Sequence, residues 1–429
     1  MKTFNEFILL TVASILLLSC SNVDSRKNTT QITIESPSPT EQITKVALND
    51  VQMKYIEAEN NMAFRLLAQL YKGDNLVCAP LSLQYAMTML ANGSSNETLE
   101  EIIDFLGYGK EGVEALNDFN KTLIEQLPAL DLGVRFKATN ALLANAQYTL
   151  LLTFKNTLED YYYAAVESAD FSKPEEISSR INSWANRSTD GFVDKLIDPS
   201  EISSDAMLYI MNALYFKATW KEDDLGSMFN DKFTKSEDFN LSDGGVKKVD
   251  MMRNTKYHQY AEMDGYKVLA LPYSEGLYNM YILLPDENDI SGLVTRLQSQ
   301  SWTEILKSFK QDAEVSVLLP KFEINKTHDL SDALKELGVQ RAFYNAEFDR
   351  LFENQGSEYV VGRVIQKSRI AVTEAGTETG SVTIIGNPIS GEPDDNTKKI
   401  DFHAVHPFVF VIGEETTGTI LYAGVFSKP

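Results

Sequence analysis

Apolar residues recur at helical spacing in four segments of the chain. The longest stripe lies within residues 53–71 and consists of Ile56, Met62, Leu66, Leu67 and Leu70. A repeat of three to four residues places such side chains on one face of an α-helix. The same spacing predicts further helices over 80–91, 98–106 and 176–197, the last around Ile181, Trp184 and Ala185. Gly93, Gly107 and Asp190-Gly191 are expected to end the last three of these helices.

Other apolar segments have no helical period and predict strands. Residues 207–220 form a continuous aromatic and aliphatic run, which is typical of a central strand covered on both faces. Strands are also predicted over 278–284 and 314–322, ended by Pro285 and Pro320-Lys321. Residues 408–412 and 419–426 flank a loop of Gly, Thr and Glu and predict a β-hairpin. Helices early and strands late indicate an α+β fold.

The N-terminus carries a targeting signal. Lys2 precedes an apolar run, 7–18, that is too short for a comfortable transmembrane helix. The run ends in Leu-Leu-Ser-Cys, which resembles the bacterial lipobox, so Cys20 is the expected lipid anchor after removal of a signal peptide, 1–19. The alternative is an ordinary signal peptide with an incidental cysteine. The lipobox implies a bacterial cell envelope, facing the periplasm or the exterior, with shedding as an extracellular route.

The remainder divides into a tether and one folded body. Residues 20–48 are rich in Ser, Thr, Asn and Pro and contain too few large apolar residues to order themselves. The folded body is 49–429, in which the first linker-like stretch is 386–397. A single domain is the simplest interpretation, and a monomer is expected.

Charge and cysteine content narrow the possible partners. With 61 acidic and 39 basic residues, the formal net charge is −22. Nucleic acid, heparin-like polyanions and anionic lipid surfaces are therefore poor partners.

Cys78 is the one cysteine of the body and lies in an apolar run, so it is predicted to be a small buried side chain rather than a catalytic thiol.

No catalytic set is visible in the sequence. His403 and His406 have a spacing that suits a metal on a helix, but on the extended segment expected here they lie on opposite faces. Neither a Gly-x-Ser-x-Gly elbow nor a phosphate-binding glycine loop is present. A pair of glycosidase carboxylates has no support from the pattern. The chain is therefore not expected to be an enzyme, and no metal or cofactor is expected.

Several ordered motifs together resemble the serpin family. They are Asn-Leu-Val-Cys-Ala-Pro-Leu-Ser-Leu at 75–83, Asn-Ala-Leu-Tyr-Phe-Lys-Ala-Thr-Trp at 212–220, Lys-Val-Leu-Ala-Leu-Pro-Tyr at 267–273, Ile-Leu-Leu-Pro at 282–285, Leu-Pro-Lys-Phe-Glu-Ile at 319–324, Val-Thr-Glu-Ala-Gly-Thr-Glu at 372–378 and His-Pro-Phe-Val-Phe at 406–410. They span nearly all of 49–429. Ala79 departs from the family pattern, which has a serine there.

This resemblance implies a fold and an activity. The fold has three β-sheets, about eight to nine helices and an exposed reactive-centre loop, here about 374–400. The implied function is irreversible inhibition of serine and cysteine proteases. The protease cleaves the loop and is trapped as an acyl-enzyme when the loop inserts into the main sheet. The target protease is then a covalent partner. The alternative is a non-inhibitory serpin that acts as a binding or carrier protein.

The loop's first half suits insertion. The resemblance assigns the hinge to Glu374 and Gly376 and the residues that follow. The small hydroxyl residues of this half alternate and would share one face of a new strand; they are Thr377, Thr379, Ser381 and Thr383. On the opposite face only Glu378 is charged. The family favours alanines in this stretch, whereas β-branched residues here favour a strand.

Control of sheet opening is also carried over from the family. Lys321 and Glu374 match a salt bridge at the start of the loop. Ser82 and Asn212 match a polar cluster under the centre of the sheet, and Gln366 stands where the family often has a histidine. Glutamine donates and accepts hydrogen bonds like a neutral imidazole, but it does not titrate. Trp220 matches the packed residue where insertion begins.

The scissile bond has two possible positions. Counting forward from Gly376 at the family spacing gives Ser390–Gly391, whereas counting back from Pro407 gives a bond near 396–397, because this stretch is about six residues longer than the family pattern. The candidates for the recognised residue are Ile389, Ser390, Lys398 and Lys399. Lysine favours a trypsin-like target, and isoleucine or serine favours an elastase-like or a broader range of targets. The first count is preferred, because trapping depends on the length from hinge to bond.

Overall fold

The first helix shows how local sequence sets an element boundary. Asn49 caps it, because its Oδ1 accepts hydrogen bonds from the backbone N–H groups of Val51 (3.0 Å) and Gln52 (2.9 Å). The Gln52 side chain in turn accepts from the Asn49 N–H at 3.0 Å, which completes a capping box. In this computed structural model, the described residues are 39, 41–109, 112–224, 226–310, 313–353, 360–377 and 400–429.

The described residues contain nine α-helices. They are Asp50–Leu70 (α1), Pro80–Gly93 (α2), Asn96–Leu106 (α3), Val113–Leu130 (α4), Leu152–Tyr162 (α5), Pro174–Ser188 (α6), Ile290–Leu297 (α7), Trp302–Lys307 (α8) and Ser331–Glu336 (α9). Three short 3₁₀ helices are Pro199–Glu201, Asp231–Phe233 and Arg341–Phe343. Gly107 ends α3 with a positive φ of 77°, a conformation that favours glycine.

The described residues form sixteen strands, and the last two pair as an antiparallel hairpin. They are Leu76–Cys78 (β1), Arg135–Asn145 (β2), Ala165–Ala169 (β3), Leu208–Thr219 (β4), Lys235–Asn240 (β5), Val246–His258 (β6), Tyr260–Met263 (β7), Tyr266–Tyr273 (β8), Tyr278–Pro285 (β9), Ala313–Pro320 (β10), Phe322–Asp329 (β11), Ile365–Thr373 (β12), Gly376–Thr377 (β13), Ile400–His403 (β14), Phe408–Glu414 (β15) and Ile420–Phe426 (β16).

These strands form three sheets in the described part of the chain. Sheet 1 has the order β1-β16-β15-β9-β8-β7, sheet 2 has β14-β10-β6-β5, and sheet 3 has β11-β12-β13-β4-β2-β3. Parallel pairs (β2 with β3, β10 with β14) occur among antiparallel ones. The α+β architecture with three sheets and eight to nine helices is confirmed.

The core lies between sheets 1 and 3. Every residue of β9, β15 and β16 is buried. Helix α2 packs against both β4 of sheet 3 and β16 of sheet 1. The Tyr422 hydroxyl also joins the two sheets, because it donates to the Leu214 carbonyl at 2.5 Å. Cys78 is buried as predicted, and burial raises the pKa of its thiol to about 12.

Two boundaries differ from the sequence prediction. The helix predicted over 176–197 ends at Ser188, because Asp190 and Gly191 both adopt positive φ and the chain leaves the helix there. The strand predicted over 314–322 ends at Pro320, and Phe322 begins a new strand in a different sheet. Among the described residues, no helix combines the length and apolarity needed to cross a bilayer.

Candidate functional site

The hinge forms a turn that brings the chain back into sheet 3. After β12, Glu374 and Ala375 reverse the direction and β13 runs antiparallel to both neighbours. Gly376 pairs with Thr219 of β4 on one side and Thr373 of β12 on the other.

Glycine is required at position 376. Its φ is +142°, and a Cβ there would lie 2.1 Å from the Ala218 carbonyl oxygen. A side chain would therefore collide with backbone, which is an expensive contact to relieve. The hinge glycine inferred from the motif thus has a steric reason on this chain.

Trp220 closes the end of sheet 3 beside the hinge. Its backbone N–H donates to the Ala375 carbonyl at 3.2 Å, and its indole Nε1 donates to the Thr373 carbonyl at 2.8 Å. The buried indole stacks on the Tyr273 ring with centroids 4.6 Å apart and an interplanar angle of 9°. Trp220 therefore holds the end of β12 and the turn that follows it.

Thr377 points into the core rather than to solvent. Its hydroxyl lies 2.5 Å from the Tyr273 hydroxyl, and the residue is 4% exposed. Burial raises the pKa of Tyr273 far above its usual range, so the phenol stays protonated and can donate. Thr377, the first of the four alternating hydroxyl residues, thus faces the core, and the alternation predicts the same face for the other three.

Glu374 is fixed on the outer side of the turn. Its carboxylate lies 3.0 Å from Lys321 Nζ and accepts a 2.7 Å hydrogen bond from Thr234 Oγ1. Burial alone would raise the pKa of Glu374, but the hydrogen bonds from Thr234 and Lys321 outweigh it and hold the pKa below its ordinary value. The proximal end of the loop is thereby anchored to β10–β11 and to the 3₁₀ helix before β5.

The two halves of sheet 3 are connected through the short strand β13. In the described part of the chain, β4 and β12 are hydrogen-bonded to β13 but not to each other. A small cavity lies at this boundary, and its lining residues are Phe192, Phe216, Arg369, Ile370, Ala371, Thr377, Ile412 and Tyr422. At this boundary, sheet 3 therefore already contains one short strand, β13, between β4 and β12.

The polar residues near the sheet centre form two separate contacts. Gln366 bonds twice to Ala79 at the start of α2, accepting from its N–H at 3.0 Å and donating to its carbonyl at 2.9 Å. Asn212 donates instead to Asn140 of β2 at 2.5 Å. Ser82 is buried in α2. Among the described residues, no hydrogen bond links Ser82, Asn212 and Gln366 to one another.

Four partners of the site were missed by the sequence reasoning. They are Thr234, Tyr273, Asn140 and His328, the last of which faces Gln366 across β11–β12 and lies 3.0 Å from the Val77 carbonyl through Nε2. Burial lowers the pKa of His328, so it is held neutral. Tyr273 is the last residue of the 267–273 motif, so the sequence contained a signal for it. Thr234 lies 140 residues from Glu374, and nothing local marks it.

Several predicted site residues lie outside the described residues. They are Cys20, Thr379, Ser381, Thr383, Ile389, Ser390, Gly391, Lys398 and Lys399. Across the ranges that are described, no group of three or more His, Cys, Asp and Glu side chains could hold a metal ion.

Comparison with known proteins agrees with these features. A family model described as serpin, a serine protease inhibitor, matches residues 57–429. Serpin-ZXA of Oryza sativa subsp. japonica is 32% identical over 397 residues, covering 87% of this chain and 97% of its own. Serpin B3 of Homo sapiens is 29% identical, with 87% and 99% coverage.

Solved structures agree in turn. The thermophilic serpin tengpin in its native state aligns with a TM-score of 0.79 at 25% identity, covering 91% of this chain and 97% of its own. Arabidopsis AtSerpin1 in a native stressed conformation aligns with a TM-score of 0.77 at 28% identity, with 89% and 100% coverage. The chain belongs to the serpin family.

Proposed function

We propose that this chain is an irreversible suicide-substrate inhibitor of serine proteases and, through the same acyl chemistry, of cysteine proteases. Members of the family are in general protease inhibitors rather than enzymes. The observation that carries the proposal is β13, a two-residue strand that seats the hinge between β4 and β12. Cleavage of the loop by a protease would free this strand to lengthen.

The register of β13 supports insertion of the residues that follow. Thr377 pairs with Val372, so continued antiparallel pairing would bring Thr379, Ser381 and Thr383 opposite Ile370, Ser368 and Gln366. Those three β12 residues are buried. The small hydroxyl side chains would thus face the core, where larger or charged groups are costly. Glu378 would lie opposite Ala371, on the other face.

The energy and length of such a strand suffice for trapping. Roughly a dozen residues, each adding a net hydrogen bond of about 1 kcal/mol, would contribute on the order of 10 kcal/mol. At about 3.3 Å per residue, the strand would extend roughly 40–50 Å. That is enough to carry a covalently bound protease along the whole length of sheet 3. Cleavage at Ser390–Gly391 would provide this length, and this bond remains our preferred prediction.

A gel assay tests the proposal. The protein is mixed with trypsin, elastase, subtilisin and papain and separated under denaturing conditions. A covalent complex that survives denaturation is expected with at least one protease. Clean cleavage by all of them, with no gain in thermal stability, would overturn inhibition and favour the non-inhibitory binding alternative.

A matched pair of variants isolates insertion from recognition. Thr379→Arg would place a charge against the core face of the new strand, whereas Thr379→Ala keeps a small side chain there. Both variants should be cleaved as fast as the wild type. T379R should be released as cleaved product, and T379A should still form the complex. Complex formation by T379R at the wild-type yield would contradict insertion through this boundary.

We also propose that the protein is lipid-anchored at Cys20 in a bacterial cell envelope. The tether predicted over 20–48 would end before Ile43, because the Ile43 N–H donates to the Ala129 carbonyl at 2.9 Å and Val46 is buried in the core. The Leu-Leu-Ser-Cys sequence after a short apolar run supports the anchor. Cys20→Ala should move the protein from the membrane fraction to the soluble fraction, whereas Ser21→Ala should not. Unchanged membrane association of C20A would contradict the anchor.

A further inference from the structure

Glu59 is a buried carboxyl group in the middle of α1. The residue is 5% exposed, and in the described part of the chain no lysine, arginine or histidine forms an ion pair with it. Its Oε1 accepts a 2.7 Å hydrogen bond from the Tyr108 hydroxyl, and its Oε2 is buried without a hydrogen-bond partner. A carboxylate with one hydrogen bond and no counter-ion is costly to bury, so the protonated form is favoured here.

The end of α3 packs against α1 beside this carboxyl group. A Cβ at Gly107 would lie 3.2 Å from the Ala58 Cβ, so the backbone after α3 approaches α1 closely next to Glu59. Further along α1, Arg65 Nη2 donates to the Phe105 carbonyl at 2.7 Å. The C-terminal turn of α3 is therefore tied to α1 on both sides of the close approach.

Aromatic rings enclose the contact between Glu59 and Tyr108. The centre of the Tyr108 ring lies 5.0 Å from that of Tyr55 in α1 and 6.3 Å from that of Phe119 in α4. The Tyr55 and Phe119 rings are 5.4 Å apart, and all three residues are buried. These rings separate the carboxyl group from solvent, so water cannot hydrate it while the end of α3 stays against α1.

The polar groups near Glu59 are short of hydrogen-bond donors. The Tyr108 hydroxyl also interacts with the side chain of Gln84 in α2, whose amide donates to Asn120 of α4. Gln84 Oε1 and the Tyr85 hydroxyl are both buried without a partner. A protonated carboxyl group adds one donor to this cluster of oxygens, whereas a carboxylate adds none.

Glu59 is the group of this cluster that changes charge near neutral pH. Burial raises its pKa from 4.5 to about 8, and the hydrogen bond from Tyr108 offsets only part of that rise. Burial, and next the nearby Glu59, raise the pKa values of Tyr85 and Tyr108 well above their ordinary range, so these phenols stay neutral. Helices α7, α8 and α9 and strand β16 also contact α1, but none of their described charged groups contributes to the pKa of Glu59.

We propose that Glu59 and Tyr108 form a proton-controlled latch that holds the end of α3 against α1. The latch is closed while the carboxyl group carries its proton. Loss of the proton leaves an unpaired buried charge, which is relieved when the end of α3 moves away and water reaches the carboxylate. The latch belongs to the intact fold and does not depend on the proposed inhibitory function.

Urea denaturation of the full chain between pH 5 and pH 9 tests the latch. The folded protein holds the Glu59 proton more tightly than the unfolded chain does, so this contribution to stability is complete below pH 4.5 and is lost as the pH rises to about 8. Glu59→Gln is neutral at every pH and keeps an acceptor for Tyr108. Relative to E59Q, the unfolding equilibrium constant of the wild type should rise about tenfold per pH unit up to pH 8 and then level off.

Two further measurements locate the effect. Amide hydrogen exchange of residues 99–108, corrected for the intrinsic rate, should accelerate more in the wild type than in E59Q as the pH is raised, whereas exchange in β15 should be the same in both. Tyr108→Phe keeps the ring but removes the hydrogen bond that lowers the pKa of Glu59, so the levelling off should move above pH 8. A purely structural role of the hydroxyl would instead lower stability equally at every pH.

Glu57→Gln is the matched control, because Glu57 is an exposed glutamate of the same helix. The ratio of its unfolding constant to that of the wild type should stay within about twofold across the pH range. An equally constant ratio between the wild type and E59Q would overturn the latch. A ratio that changes with pH while exchange at the end of α3 does not would overturn it too.

Discussion

The hinge and residues 189–207, the segment between α6 and β4, contact the same two strands but are held by different kinds of contact. At the hinge, Trp220, Tyr273 and Thr377 are buried and joined by hydrogen bonds and ring stacking. In residues 189–207, the acidic partner of Lys367 is Asp194, whose side chain is 82% exposed. Buried polar contacts are costly to break, whereas exposed ion pairs contribute little. The difference indicates that the hinge is held more firmly than residues 189–207.

The largest expected effect is at Trp220. Trp220→Ala removes a buried ring and leaves the Thr373 carbonyl without its donor, so the free energy of unfolding should fall by about 3–5 kcal/mol. Urea denaturation measures this change. Trp220→Phe, which retains a ring, should lose clearly less. A loss below about 1 kcal/mol for W220A would show that the hinge end is not held as described.

The next effect in size is at Gly376. Gly376→Ala forces a side chain into a positive-φ position that faces the Ala218 carbonyl, and should cost about 1–3 kcal/mol through strain or loss of β13. Gly362 is the matched control, because it has open space around a Cβ and ordinary φ. Thermal unfolding should therefore distinguish G376A from G362A, and equal midpoints would contradict the seated hinge.

A smaller effect is expected at Tyr273. Tyr273→Phe keeps the ring stacked on Trp220 but removes the hydroxyl that meets Thr377, and should cost about 1 kcal/mol. Tyr257→Phe removes an exposed hydroxyl from β6 and should be neutral. Denaturant titration of the two variants gives the comparison, which fails if both lose the same stability.

The smallest effect concerns pH at the turn. The pKa of Glu374 is depressed, so its contribution to stability is complete above its ordinary value of 4.5 and is lost as the pH falls through the lower folded value. The stability difference between wild type and Glu374→Gln should be less than about 1 kcal/mol at pH 7 and should shrink towards pH 3. A difference that grows on acidification would contradict the assigned partners.

Much of the hinge could be predicted from sequence because its residues lie in short motifs. Gly376, Trp220, Lys321 and Glu374 were named from such motifs, and the helical stripes located α1, α2 and α3. Other elements were not predicted. Helix α4 contains Pro128, which argues against a helix, and β2 mixes polar and apolar residues on both faces.

Residues 189–207, between α6 and β4, illustrate the limit of sequence reasoning. Residues 189–197 were included in the helix predicted over 176–197, which ends at Ser188. Val193 and Ile197 are buried between α6 and Met211 of β4, and Lys367 of β12, which donates to the Lys195 carbonyl, lies 172 residues further along the chain. Contacts of that separation depend on how the sheets assemble, and local spacing carries no trace of them.

Thermal unfolding before and after cleavage of the loop tests the central claim most directly. The account predicts that cleaved wild-type protein unfolds at least about 10 °C above the intact protein, because the new strand adds on the order of 10 kcal/mol. Cleaved T379R should show little or no rise. A cleaved wild-type protein that unfolds at the same temperature as the intact protein would contradict loop insertion and the inhibitory mechanism built on it.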